Sequence, residues 1–151
     1  MAQTIDFDRW IMYGSGWEVS FVAELENLTV TRAYGSDYAT ISGKAWIKSV
    51  GGSTNTKAKF WIQLNGTWTE VNIAGSNGSG GWYTFWAGDW YSQTFSFNVS
   101  VGAGSGNLSG QVCFSVYDIN GPHADSEYKT YSQPYGTKGA STISSATNVQ
   151  L

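Results

Sequence analysis

The apolar positions of this chain recur every second residue over most of its length. Trp17, Val19, Phe21, Ala23 and Leu25 alternate with Glu18, Ser20, Glu24 and Glu26, Val22 being the exception. Such alternation marks a strand with one buried and one solvated face. Helical spacing would set Glu24 beside Phe21 and Leu28 and leave no clean apolar stripe. Ala39, Ile41, Ala45 and Ile47 repeat the pattern against Thr40, Ser42, Lys44, Trp46 and Lys48. Ala58, Phe60, Ile62 and Leu64 then alternate with Lys57, Lys59, Trp61 and Gln63, and Phe95, Phe97, Val99 and Val101 with Thr94, Ser96, Asn98 and Ser100. Val112, Phe114 and Val116 form a last core row.

Turn chemistry punctuates these runs. Asn65-Gly66 tolerates the positive φ of a two-residue type I′ turn and predicts a hairpin, with Thr67 to Ala74 returning. Gly75 to Gly81 and Gly102 to Gly110 are Gly/Ser-rich and read as flexible loops facing one end of the molecule. Asn120-Gly121-Pro122 stops the strand before it, because proline cannot donate to a ladder. No stretch carries a 3.6-residue period. About eight strands at this spacing predict an all-β chain, an antiparallel two-sheet β-sandwich of jelly-roll or Ig-like type. Residues 1–128 read as the sandwich. In residues 129–151 Ser, Thr and Gly dominate, and Ile143, Val149 and Leu151 are the sparse apolar anchors, so this part reads as an extended arm or tail.

Composition sharpens the picture. The 151 residues suffice for one core, and 16% of them are aromatic, with 8 Trp and 9 Tyr. Charged residues are 13%, about half the usual share of roughly a quarter, too few for long solvated helices. The net charge is −3 without a basic run, which argues against nucleic acid and anionic membrane as partners. No apolar run reaches the ~20 residues of a membrane-spanning helix. Met1 to Met12 carries Asp6 and Asp8 ahead of any apolar stretch and does not read as a signal peptide. The lone Cys113 allows no internal disulfide and reads as a small half-buried strand residue. Asn-x-Ser/Thr tripeptides at Asn27, Asn65, Asn77, Asn98 and Asn107 are expected by chance in so polar a chain.

Chemistry is sparse. One His, His123, and one Cys cannot build a zinc site. His123 with Asp118 or Asp125 lacks a nucleophile-elbow pattern and reads as a turn residue. Asp118, Asn120, Asp125 and Glu127 are weak calcium candidates, since such residues also cap turns. Glu18, Glu24, Glu26 and Glu70 are the carboxylates a hydrolase would need, and without a facing strand they read as solvated outer positions. No cofactor and no catalytic residue are assigned. Aromatics are the signal: Trp82, Tyr83, Trp86, Trp90 and Tyr91 cluster after a Gly loop as a candidate ligand or interface site, with Trp46, Trp61 and Trp68 as secondary candidates.

The long Trp17 to Leu25 strand, the Gly/Ser/Asn loops, the aromatic-polar alternation and the low charge together resemble bacteriophage virion modules of tail, fibre, baseplate or head-decoration type. The resemblance covers most of the chain as texture and transfers no residue roles. It implies a non-catalytic structural protein, made in the host cytoplasm, that forms homo-oligomers or joins other virion proteins and touches host surface glycans. A free, extracellular carbohydrate-binding module or lectin is the first alternative, and a jelly-roll glycoside hydrolase the second.

Overall fold

The computed structural model describes residues 2–139, and the chain is an antiparallel two-sheet β-sandwich. Eleven strands form it: β1 (Gln3–Gly14), β2 (Trp17–Thr31), β3 (Tyr38–Gly51), β4 (Asn55–Leu64), β5 (Thr67–Ile73), β6 (Ser76–Ser79), β7 (Trp82–Thr84), β8 (Trp90–Ser100), β9 (Asn107–Asp118), β10 (His123–Asp125) and β11 (Lys129–Pro134). The smaller sheet runs β1-β2-β3-β8. In the larger sheet β4 and β9 are central. On the free edge of β4, β5 pairs with Ala58 to Leu64 and β7 with Asn55 and Thr56. On the far edge of β9, β10 and β11 pair in the same end-to-end way.

The count exceeds eight because some strands conceal their period. Between Phe7 and Trp10 the pairing of β1 with β2 slips, so Ile5, Phe7, Trp10 and Met12 all reach the core without strict alternation. In β2, Asn27 at φ 55° forms a bulge, and Leu28 and Val30 continue the core row that Leu25 leaves. The Gly75–Gly81 segment, read as a loop, folds into the β6–β7 hairpin. Its turn uses Gly80 and Gly81 at φ 63° and 83°. The predicted Asn65-Gly66 hairpin is present, with φ 49° and 79° at the two positions.

The two Gly-rich segments lie at opposite ends. Ser76 is hydrogen-bonded to Tyr91 at the start of β8 (3.2 Å), whereas Gly102 lies two residues beyond the end of that strand. Residues 129–134 of the expected arm are β11, whose Tyr131 is buried and donates to the Gln63 carbonyl at 2.5 Å. Residues 140–151 lie outside the described part.

The predicted core rows meet between the sheets. Phe114 of β9 contacts Phe7 edge-on at a ring separation of 5.0 Å and Phe60 at 5.1 Å, and Phe60 stacks on Phe95 at 5.3 Å. This chain of rings joins β1, β9, β4 and β8. Pairs of this kind add about 0.5–1.5 kcal/mol each beyond the area they bury.

One end of the sandwich is tied by Arg32, which is 1% exposed. Its guanidinium donates to the carbonyls of Ser36 (2.9 Å), Gly104 (2.8 Å), Gly136 (2.9 Å) and Gly102. Four carbonyls from three segments outside the strands thus share one buried cation, with the Tyr135 ring beside it at 5.5 Å. Replacing Arg32 by Met keeps the stem and strips the donors from four carbonyls. It should cost on the order of 3 kcal/mol, since unpaired buried polar groups carry a desolvation penalty. A shifted urea midpoint with faster amide exchange at residues 135–138 is expected; a midpoint equal to wild type would show that the clamp carries no stability.

Candidate functional site

Alternation places the site. With Val112, Phe114 and Val116 turned inward, Cys113, Ser115 and Tyr117 emerge on the outer face of the larger sheet. Register then supplies their neighbours. Across β4, Trp61 is opposite Cys113, Lys59 opposite Ser115 and Lys57 opposite Tyr117. Across β10, Asp125 is opposite Ser115 and His123 opposite Tyr117. Trp68 comes from β5. Tyr128, in the link between β10 and β11, meets Trp68 edge-on at 5.8 Å.

These eight residues (Trp61, Trp68, Cys113, Ser115, Tyr117, His123, Asp125 and Tyr128) line a depression of about 310 Å³. That volume lies at the small end of the roughly 300–1,000 Å³ typical of ligand sites. Trp68 remains 37% exposed at its lip. His123 and Tyr117 stack face to face, 4.4 Å apart and within 2° of parallel. Asp125 Oδ1 accepts from Ser115 Oγ at 2.6 Å and from His123 Nε2 at 2.7 Å. The link that carries Tyr128 is held by Ser126, whose hydroxyl accepts from Phe114 N at 2.8 Å and whose own amide donates to Phe114 O at 2.8 Å. Glu127 accepts from the amide of Asp8 at 2.8 Å, which ties the link to the bulge of β1.

Cys113 is 3% exposed, deeper than the half-buried position expected. Burial, and secondarily the Asp125 charge, push its thiol up to about 11, against a partial opposing effect of the Tyr128 hydrogen bond. A thiol held neutral in this way is a poor nucleophile at neutral pH. Burial likewise pushes the Tyr131 phenol up to about 12.

The expected cluster of five aromatics is divided among separate surroundings. Trp82 lies on the outer face of the larger sheet with the Lys57 ammonium 4.6 Å from its ring centre. Tyr83 and Tyr91 pack on the buried Phe85, with ring separations of 6.5 Å and 5.1 Å. Trp86 is 49% exposed and its amide donates to the Tyr91 hydroxyl at 3.2 Å. Trp90 belongs to the smaller sheet's outer face, edge-on to Trp46 at 6.3 Å. There Trp46 Nε1 donates to Glu26 Oε1 at 3.1 Å, and Lys44 and Lys48 lie over the Trp46 and Trp90 rings at 4.4 Å and 4.8 Å. Of the secondary candidates, Trp61 and Trp68 meet in the depression and Trp46 does not.

The oxygen donors do not converge. Asp118 is buried and caps the Asn120 amide at 2.9 Å, Asp125 serves Ser115 and His123, and Glu127 serves Asp8. Among the described residues no group of three or more His, Cys, Asp or Glu side chains is placed to hold a metal ion. The strand that was missing opposite Glu24 is β1, which sets Asp6 beside it. Burial first, then the charges of Asp6 and Glu26, raise the Glu24 carboxyl.

Sequence reading missed Tyr117, Tyr128, Ser115 and Cys113 as lining residues. The signal was present for three of them, since the odd positions of β9 must face outward once Val112, Phe114 and Val116 are assigned inward. No protein-family model, curated protein or solved structure matches the chain.

The raised thiol and phenol predict an alkaline weakness. A folded-state value above the unfolded one stabilises fully below the unfolded value and is lost as pH rises through the folded one. For Cys113 that window runs from 9.0 to about 11, and for Tyr131 from 10.0 to about 12. Urea midpoints should therefore fall between pH 8 and pH 11, by on the order of 1–3 kcal/mol in stability. Cys113→Ala should show a shallower fall than wild type; an identical slope would mean that the thiol does not contribute.

Proposed function

We propose that this chain is a non-catalytic carbohydrate-binding β-sandwich domain, with its sugar seated in the depression on the outer face of the larger sheet. One observation carries the reading: five rings, Trp61, Trp68, Tyr117, His123 and Tyr128, surround one hydrogen-bonded carboxylate and hydroxyl, Asp125 and Ser115. A pyranose ring offers apolar C–H faces and a rim of hydroxyls. The ring walls bury the faces at small entropic cost, because aromatic side chains have few rotatable bonds. Asp125 and Ser115 both accept from the rim hydroxyls, the Ser115 proton being held by Asp125, and Asp125 is already fixed in place by two short hydrogen bonds, so little ordering remains at binding.

The same geometry favours holding a ligand over cleaving it. A hydroxyl becomes a nucleophile when an adjacent base takes its proton. Here Asp125 accepts from both Ser115 and His123, so the imidazole is bonded to the carboxylate and not to the hydroxyl.

A structural role in an assembly is the second reading, and its supporting observation is on the opposite sheet. Trp90 is 44% exposed beside Trp46, and rigid exposed Trp pairs are the residues interfaces favour. We propose this face as the one that meets a neighbouring copy or another structural protein.

Glycan-array screening followed by calorimetry tests the first reading. Trp61→Ala and Tyr128→Ala should each weaken the best ligand by about 10–30-fold, the loss typical of a hot-spot aromatic, with Trp90→Ala unchanged. A ligand bound equally well by Trp61→Ala would place the site elsewhere. Light scattering after size exclusion tests the second reading: a multimer that dissociates in Trp90→Ala supports it, and a clean monomer at high concentration counts against it.

A further inference from the structure

We infer that the depression is one half of a longer groove, whose other half takes the anionic group of an acidic sugar residue at Lys57. The group is a carboxylate of a uronic acid or a sulfate ester, and the inference rests on reading the depression as a sugar site.

The second half lies at a seam in the larger sheet. On the edge of β4, Ala58 is opposite Ile73 at the end of β5, and Thr56 is opposite Tyr83 in β7. The chain leaves this edge after Ile73 and returns at Trp82, and the sheet opens between the two partners. The opening is a depression of about 310 Å³ lined by Lys57, Lys59, Asn72, Gly81 and Tyr83, among others. The seam is close-packed beneath: a Cβ at Gly75 would stand 2.6 Å from the Thr84 carbonyl oxygen, so only glycine fits where the chain departs.

Lys59 joins the two halves. It lines the seam, and its ammonium lies 5.7 Å from the Trp61 ring centre and 5.9 Å from that of Tyr117, both walls of the first depression. Lys57, Lys59 and Trp61 follow one another on the outer face of β4, which puts Lys57 about 13 Å from Trp61. That span suits an oligosaccharide of more than one ring.

Charge selects the class. Lys59 is ion-paired with Glu70 across the strand pair. Lys57 forms no ion pair among the described residues, although the protein as a whole carries −3. The Trp82 ring holds the Lys57 ammonium in place from one side at 4.6 Å. Gly81, at φ 83°, presents no side chain beside it. A cation fixed by a ring, without a counter-ion and open to a groove that continues into an aromatic sugar site, is matched by an anion on the next sugar. A neutral glycan would leave it unmatched.

Three probes test this with the full chain: a uronic acid trimer, the neutral trimer made by reducing its carboxyls, and a sulfated form of that neutral trimer. At low ionic strength at least one anionic trimer should bind about tenfold tighter than the neutral one, as a charge-assisted contact provides. Whichever form gains identifies the source of the anion. The advantage should shrink at high salt. Lys57→Met keeps the stem over Trp82 and should erase the advantage, and Lys57→Arg should keep it. Equal affinity for all three probes, each still weakened by Trp61→Ala, would overturn the anionic half and leave the sugar site standing. An anionic advantage that survives Lys57→Met overturns the assignment, as does silence of all three probes. The array then judges the first depression on its own.

Discussion

The buried row of β9 is the constraint on which the rest depends. Phe114 sits where rings from β1 and β4 converge, so turning it outward would open the centre of the core. Because side chains alternate along a strand, fixing Phe114 inward fixes Cys113, Ser115 and Tyr117 outward. A one-residue slip in β9 would empty the core and the outer site together. Ser126 guards against that slip. It bonds the Phe114 backbone through both its amide and its hydroxyl, at the point where β10 ends and β11 has not begun. Core packing and site geometry are thus the same register, seen from two faces.

The borders of the site are anchored as firmly as its floor. Tyr128 lies between two short strands, and each is held: β10 through Asp125 to Ser115, β11 through Tyr131 to the Gln63 carbonyl. Beyond β11 the chain passes Tyr135, over whose ring Arg32 lies, and Gly136, whose carbonyl that guanidinium binds. Among the described residues Arg32 pairs with carbonyl dipoles and no carboxylate. Its charge is therefore spread over several loop ends, and connections rich in glycine are held without a core of their own. The first residues after 128, read as an arm, are in this way part of the frame that positions the candidate site.

Much of the fold was legible in the sequence because its central strands obey one rule. Ala39 to Ile47 and Ala58 to Ile62 alternate cleanly, and their apolar positions are buried as the pattern requires; Val112, Phe114 and Val116 are buried as expected too, with Cys113 and Ser115 between them covered as well. Elements with an irregular period escaped. The bulges near Arg9 and at Asn27 each add a residue to the count and reverse the faces after them, so β1 was invisible and β2 ended early. Short β6, β7 and β10 have too few residues to show any period, and their pairing depends on partners distant in sequence. The candidate site was half legible for the same reason. Trp61 was marked as an aromatic among polar positions and Trp68 as a secondary candidate. That they meet His123, Asp125 and Tyr128 follows from the β9–β10 register, which local patterning does not encode.

The aromatic wealth of the chain proves to be two different things. Tyr83, Phe85 and Tyr91 close one end of the core. Apart from Trp10 in the core and Trp17 packed against it, the tryptophans stand outside, and four of them, Trp46, Trp61, Trp82 and Trp90, carry a lysine ammonium near the ring. On an outer sheet face such a pair covers an apolar surface with the lysine stem while its charge stays in water, which keeps an exposed indole soluble without burying it. What separates the two outer faces is concavity. On the smaller sheet the Trp46 and Trp90 rings form an edge-on pair. On the larger sheet β10 and the Tyr128 link lie beside β9, and the same aromatic texture lines an open depression that holds the Asp125 carboxylate. On the reading proposed above, a surface of the first kind would suit a broad partner and a surface of the second a small one, selected by the placement of its hydroxyls.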